Sequence, residues 1–171
     1  MSRTIFDKIW DAHRVTQTPG GLDLILIDRV LLHERTGGVA LRGLHERGLP
    51  VFAPDQAFAV MDHIIDTRPG RTDRTLMPTG TDFIHATREA AGRAGIRLFD
   101  INDPQQGIVH VMSPELGIVL PGATLICPDS HTCSQGALGA LAWGIGSSEA
   151  EHALATSTLR VRRPPRMRVR I

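Results

Sequence analysis

Residues 107–158 read GIVHVMSPELGIVLPGATLICPDSHTCSQGALGALAWGIGSSEAEHALATST, and they carry most of the evidence for the fold and the site. Short apolar runs alternate here with glycine-rich turns and polar clusters. The run TLIC (124–127) predicts a buried strand, and the polar run PDSHT (128–132) follows it directly. Open α/β sheets bind ligands beyond the carboxyl ends of their strands. The stretch therefore predicts an α/β sheet with a site after TLIC.

The rest of the chain continues this alternation of strand-like and helix-like segments. Such alternation predicts a three-layer α/β/α sheet, and the absence of repeats and long linkers predicts a single domain over residues 1–171. We expect that domain to be incomplete, because the chain ends in a strand-like segment without a closing helix. The predicted helices are 4–13, 36–47, 81–94 and 147–159, with a further helix start at 134–141. The predicted strands are 22–28, 51–61, 96–99, 108–112, 124–127 and 167–171.

Composition narrows the possible functions. A net charge of +1, 4% aromatic residues and no tyrosine argue against nucleic-acid binding. No apolar run approaches the roughly 20 residues of a membrane span, so we expect no membrane contact. Two cysteines, Cys127 and Cys133, cannot form a disulfide framework, and no signal-peptide pattern precedes them. These features predict a cytoplasmic protein. The arginine-rich end, RVRRPPRMRVRI (160–171), fits either a strand edge or a basic arm.

Two groups of polar residues stand out at predicted strand ends. Asp129 and His131 follow TLIC, with His110 upstream, and Asp62-His63 follows the segment 51–61. An imidazole beside a carboxylate keeps a fixed tautomer and holds a proton more readily, which suits protonation of a departing hydroxyl. Simpler interpretations remain open. The first group could cap a helix, and the second could be a solvated strand end.

Metal chemistry is constrained by the residues present. Two cysteines exclude a four-cysteine zinc or iron–sulfur site within this chain. A single zinc on His63, His110, His131 and Asp129 would define a hydrolase. The spacing does not favour it, since no two histidines stand four apart on one helix.

Several segments together resemble the aconitase family, most closely its 3-isopropylmalate dehydratase large-subunit branch. The resemblance covers most of the chain and is weak only between residues 67 and 87. The segments that carry it are TIFDKIWDAH, IDRVLLHERT, FAVMDH, DINDPQQGIVHVMSPELGIVLPGATLICPDSHT and GALGALAWGIGSSEAEHALATSTL.

The resemblance implies a hydro-lyase with a [4Fe–4S] cluster. Such an enzyme dehydrates a small 2-hydroxy dicarboxylic acid and adds water back with the hydroxyl moved by one carbon, here in leucine biosynthesis. Matching positions imply catalytic roles for five residues and substrate contact for two more. The catalytic set is Asp62, His63, His110, Asp129 and His131, and the substrate-binding set is His33 and Ser130.

The chain also departs from this family. Family large subunits are much longer, and their cluster cysteines and a further glutamate are expected beyond residue 171. A serine of a separate small subunit is expected to act as the carbon base. We therefore expect a large-subunit fragment that holds no cluster and is inactive alone. The alternatives are a short non-catalytic paralogue or binding module, or a large subunit for citramalate, dimethylmalate or homocitrate.

Overall fold

A computed structural model describes residues 3–167 and residue 169. Five α-helices and eight strands make up its regular structure, joined by two short 3₁₀ segments. The helices are α1 (Ile5–His13), α2 (Gly37–Glu46), α3 (Gly80–Ala94), α4 (Val109–Glu115) and α5 (Ser147–Thr156). The strands are β1 (Arg14–Gln17), β2 (Asp23–Leu26), β3 (Arg29–His33), β4 (Ala57–Val60), β5 (Arg97–Phe99), β6 (Thr124–Cys127), β7 (Leu141–Gly144) and β8 (Thr158–Val161).

A five-stranded parallel sheet forms the centre, in the order β5-β4-β3-β6-β7. Successive residues of a strand point to opposite faces of the sheet, so each inner strand contributes side chains to the hydrophobic core on either face. Val30 and Leu32 pack with α2, α3 and α5, whereas Leu31 packs with Val109 and Met112 of α4. Helices therefore cover both faces, and the predicted three-layer α/β/α architecture is confirmed.

A second, antiparallel sheet in the order β1-β2-β8 joins the two ends of the chain. Helix α1 packs beside it and begins with a capping box, in which Thr4 and Asp7 bond to each other's backbone amides. Arg163 and Arg166 both reach the Asp7 carboxylate, at 2.7 and 2.6 Å. This part of the arginine-rich end therefore lies against α1, which a free basic arm would not do.

Several predicted strand boundaries are wrong for identifiable reasons. The segment predicted as a strand, 22–28, forms β2 only over Asp23–Leu26, and β3 (Arg29–His33) lies outside every predicted element. Between them the Asp28 carboxylate accepts the Thr124 amide at 2.9 Å, which fixes the crossing from one sheet to the other. The segment 51–61 forms a strand only from Ala57, because Pro54 starts a 3₁₀ turn.

The strand predicted at 108–112 is instead the start of α4. Val109 and Met112 are buried three residues apart, a helical spacing that the short apolar run conceals. The helix predicted from 134 is a 3₁₀ segment, Thr132–Leu138, which ends at Gly139 with φ +83° and leads into β7. Helix 147–159 stops at Thr156, and β8 follows.

The predicted strand 167–171 lies mostly outside the described residues, and Met167 itself has no regular structure. Within the described part of the chain, none of the helices has both the length and the apolar character that a membrane span requires.

Candidate functional site

The site lies at the carboxyl edge of the parallel sheet, beyond β3, β4 and β6. The chain proceeds from β3 outwards through β4 and β5, and then returns to the other side of β3 to form β6. Such a reversal opens a crevice at the strand ends. His33 ends β3, Asp62 comes two residues after β4, and Asp129 comes two residues after β6.

Asp129 is the centre of the cluster. Its Oδ1 accepts hydrogen bonds from His110 Nε2 and from the His131 amide, both at 2.8 Å. Its Oδ2 faces His63 Nε2 at 3.2 Å. Burial alone would raise the pKa of Asp129, but these three hydrogen bonds outweigh burial and lower it. The carboxylate is therefore ionised at neutral pH and links two imidazoles.

His63 lies between two carboxylates. Its Nδ1 is 2.6 Å from Asp62 Oδ1, and its Nε2 faces Asp129. Both partners are acceptors, so the ring satisfies both only as the doubly protonated imidazolium. The hydrogen bond to Asp62 is the main cause that raises the pKa of His63, to about 9, against the opposing effect of burial. His63 therefore holds a proton at pH 7, while 29% of its side chain remains exposed.

Asp62 is fixed from two sides. Its Oδ1 contacts His63, and its Oδ2 accepts the Val109 amide at the first turn of α4, at 2.7 Å. The start of a helix stabilises a carboxylate, and only 2% of the Asp62 side chain is exposed. The helix that the sequence analysis missed thus helps to orient the first carboxylate–imidazole pair.

His110 has the opposite character to His63. Burial lowers its pKa and outweighs the raising effect of Asp129. Its Nε2 donates to Asp129, and its buried Nδ1 has no hydrogen-bond partner among the described residues. A neutral ring with Nε2 protonated leaves Nδ1 as an open acceptor. The cluster therefore combines one protonated histidine and one neutral histidine on a shared carboxylate.

His33 packs directly against His63. The two rings are stacked with centroids 3.7 Å apart and planes 14° apart. His33 Nε2 donates to the Pro128 carbonyl at 2.9 Å, which joins the end of β3 to the turn after β6. Burial is the main cause that lowers the pKa of His33, and the neighbouring His63 charge adds to it. A neutral His33 can therefore stack on the charged ring without like-charge repulsion.

Ser130 and His131 form the exposed rim of the site. Ser130 Oγ is 3.3 Å from His131 Nδ1, and 83% of the His131 side chain is exposed. His131 Nδ1 lies 3.6 Å from Asp129 Oδ1, beyond hydrogen-bond distance. The structure thus brings all seven predicted site residues to one edge of the sheet, and their chemical roles remain predictions.

Glu34 is a member of the site that the sequence analysis missed. The residue is 1% exposed, and its carboxylate accepts the backbone amides of residues 62–64. An acid directly after the buried run VLLH was the available signal. A glutamate in that position is usually interpreted as the solvated end of a strand. The neighbouring residues do not show which backbone amides its side chain will bind.

One group of side chains has the composition of a metal site. Potential ligand atoms of His33, Glu34, Asp62 and His63 lie within 4.8 Å of one another. Nearly all of them are already engaged, because Glu34 accepts three amides and both His63 nitrogens face carboxylates. The group is therefore better described as a hydrogen-bond network. The zinc alternative gains no support either, because among the described residues the ligand atoms of His63, His110, His131 and Asp129 do not all lie within 4.8 Å of one another.

The cysteines do not fit an iron–sulfur cluster. Cys127 is fully buried among the apolar side chains of β6 and α4, and burial raises the pKa of its thiol. Cys133 is exposed. One isolated surface thiol and one protonated core thiol cannot replace the set of thiolates that such a cluster requires.

The fold and the site together define an α/β protein with paired carboxylates and imidazoles at the switch point of a parallel sheet. The family model for the aconitase family (aconitate hydratase) matches residues 7–171, and the chain belongs to that family. It is also similar to the 3-isopropylmalate dehydratase large subunit 1 of Bradyrhizobium diazoefficiens. The two are 50% identical over 167 residues, which cover 98% of this chain and 35% of the relative. The chain therefore spans about a third of that relative's length.

Proposed function

We propose that this chain forms one wall of the active site of a 3-isopropylmalate dehydratase large subunit. The whole enzyme would interconvert 2-hydroxy dicarboxylic acids by dehydration and rehydration in leucine biosynthesis. The observation that supports this most is Asp129, whose carboxylate joins the protonated His63 to the neutral His110. The reaction removes water in its first half and adds water back in its second half. A proton donor beside a proton acceptor suits both halves.

His63 is the proposed proton donor to the leaving hydroxyl. A hydroxyl departs more readily as water, so a proton must reach it as the carbon–oxygen bond breaks. Asp62 and Asp129 keep His63 protonated at neutral pH, and Asp62 also fixes the orientation of the ring. When the proton leaves, these carboxylates favour its return, which prepares His63 for the next turnover.

His110 is proposed to act through Asp129, because its Nδ1 is buried and its Nε2 donates to that carboxylate. Asp129 holds this Nε2 at 2.8 Å and so fixes the tautomer. Ser130 and His131 lie at the exposed rim, where they are positioned to contact substrate oxygens. His33 is buried and supports the ring of His63 by stacking on it.

Other parts of a longer enzyme would complete the site. We propose that residues 1–171 are one α/β domain of a longer large subunit, and that the cysteines for the [4Fe–4S] cluster lie elsewhere in it. A small subunit would supply the base for the carbon-bound proton. We also propose a cytoplasmic location, which suits two free thiols and a biosynthetic role.

A chimera tests this function. Residues 7–171 would replace the matching segment of the Bradyrhizobium diazoefficiens large subunit, and the product would be assembled with its small subunit and an intact cluster. We expect isopropylmalate dehydration by the chimera and none by the isolated chain. An inactive chimera with normal assembly and cluster absorbance would refute the proposal, as would full activity of the isolated chain.

The same chimera separates the remaining alternatives. Citramalate, dimethylmalate and homocitrate can be assayed beside isopropylmalate, and a higher kcat/KM for one of them would reassign the substrate. A non-catalytic paralogue or binding module predicts a chimera that assembles and remains inactive with every substrate.

A further inference from the structure

We propose that Glu34 is a positioning residue that holds the Asp62–His63 pair in its working geometry. As a contribution to catalysis, this role rests on the function proposed above. The effect of Glu34 on the geometry of His63 can be tested without an assay of enzyme activity.

The turn after β4 depends on Glu34 for its backbone hydrogen bonds. Glu34 Oε2 accepts the amide of Asp62 at 3.0 Å, and Oε1 accepts the amides of His63 at 2.8 Å and Ile64 at 2.5 Å. Within the described part of the chain, none of these three amides donates to a backbone carbonyl. Consecutive amides that converge on one oxygen pair form an anion-binding nest, which this protein fills with its own side chain.

The turn after β6 is held differently. There the Thr132 hydroxyl donates to the Asp129 carbonyl at 2.7 Å, and the Asp129 side chain accepts the His131 amide. Those contacts lie within three residues of sequence, and the His33 side chain adds one distant contact to the Pro128 carbonyl. The turn that carries His63 instead depends on a carboxylate 28–30 residues earlier in the chain, so its shape is set by where β3 ends.

Glu34 is itself rigidly placed. Its side chain is buried, and its backbone carbonyl accepts the hydroxyl of the fully buried Thr87 of α3 at 3.1 Å. Next to it, a Cβ added at Gly38 would lie 2.7 Å from Thr87 Oγ1, so α2 and α3 approach each other closely beside Glu34. Among the described residues, the charged and titratable groups that face His63 are Asp62, Asp129, His33 and Glu34, and of these only Glu34 accepts the amides of residues 62–64.

Glu34→Gln tests the role directly. The glutamine oxygen can still accept two of the amides, but its NH2 group would face the third, so the turn must shift. NMR of the imidazole groups of the chain reports the result. We expect the deshielded Nδ1 proton that His63 shares with Asp62 to disappear and the pKa of His63 to fall by about one unit or more.

Two further variants separate positioning from charge and from general destabilisation. Glu34→Asp keeps the negative charge but shortens the side chain by one methylene. We therefore expect this variant also to lose the deshielded Nδ1 proton of His63, with a smaller fall in the pKa of His63 than in Glu34→Gln. Asp23→Asn is the matched control. Asp23 is equally buried and accepts Trp10 Nε1 at 2.7 Å in the antiparallel sheet. We expect it to leave the His63 titration unchanged.

The outcomes are decisive in each direction. A folded Glu34→Gln variant with an unchanged His63 titration would overturn the proposal. If that variant does not fold, Glu34→Asp decides: retention of the deshielded proton would assign Glu34 a purely electrostatic effect and overturn positioning. An equal response in Asp23→Asn would also overturn it. Loss of activity in the chimera with normal His63 titration would contradict only the proposed enzyme function.

Discussion

Replacing Asp129 with Asn should weaken the link between the two histidines. An asparagine can keep its oxygen towards His110 and the His131 amide, but its NH2 group then faces His63 Nε2, which also carries a proton. One of three hydrogen bonds is lost, and it is charge-assisted, a type worth about 1.5–3 kcal/mol. Because His63 is partly exposed, we expect a loss of about 2 kcal/mol, or roughly 4–8 °C in Tm.

The pH dependence of this loss is specific. The folded-state pKa of Asp129 is depressed, so its contribution is complete above about pH 3.9 and is lost as pH falls through the folded value. The pKa of His63 is raised to about 9, so its contribution is complete below 6.5 and is lost as pH rises through about 9. The stability difference between wild type and variant should therefore be greatest between about pH 4 and 6.5.

Urea unfolding at a series of pH values measures this difference. Asp28→Asn is a suitable control, since Asp28 also accepts one imidazole, that of His13, and one backbone amide. The control should destabilise the protein without changing the titration of His63. An Asp129→Asn variant that is as stable as wild type, or whose loss is constant from pH 4 to pH 9, would refute the reasoning.

Three further predictions concern other parts of the molecule. In the chimera, His63→Gln removes the proton donor and should lower kcat by about 10²–10⁴-fold with little change in KM, which steady-state kinetics would show. Gly38→Ala places a Cβ 2.7 Å from Thr87 Oγ1 and should destabilise the chain by about 1–3 kcal/mol in urea; unaltered stability would contradict the packing described. In the native chain a thiol reagent should modify the exposed Cys133 and spare the buried Cys127, and rapid labelling of both would contradict the burial of β6.

The sequence was sufficient for those parts of the fold that depend on local patterns. Helix α1 carries a capping box, and α3, predicted over 81–94, ends at Ala94 before Gly95, whose φ is +68°. The buried run 124–127 reads as a strand because all four residues are apolar or small and the segment is short. These features depend only on residues that are neighbours in the sequence, so they can be predicted without knowledge of the tertiary structure.

Other elements depend on contacts that the sequence does not display. The first turn of α4 is capped by Asp62, 47 residues earlier, so the short run at 108–112 gave no helical signal of its own. Strand β7 follows a 3₁₀ segment of small residues that resembles a helix start. The separation of β2 from β3 depends on Asp28 meeting Thr124, a contact across 96 residues.

For the site, the sequence predicted the residues better than it predicted their connections. Polar residues directly after apolar runs suggested a shared sheet edge, and the structure places them there. Nothing local indicated that Asp129, rather than Asp62 alone, would contact His63, or that Glu34 would hold the turn. Both depend on the strand order, which places the ends of β3, β4 and β6 side by side.

The most direct test of the account is an NMR titration that follows the imidazoles of His63 and His110 in one sample. Shared contact with Asp129, combined with different burial and a second carboxylate on only one ring, predicts opposite displacements. His63 should titrate near pH 9, and His110 should titrate below the ordinary value of 6.5. If both rings titrate near 6.5, or shift in the same direction, the two histidines do not form the acid and the acceptor of one site.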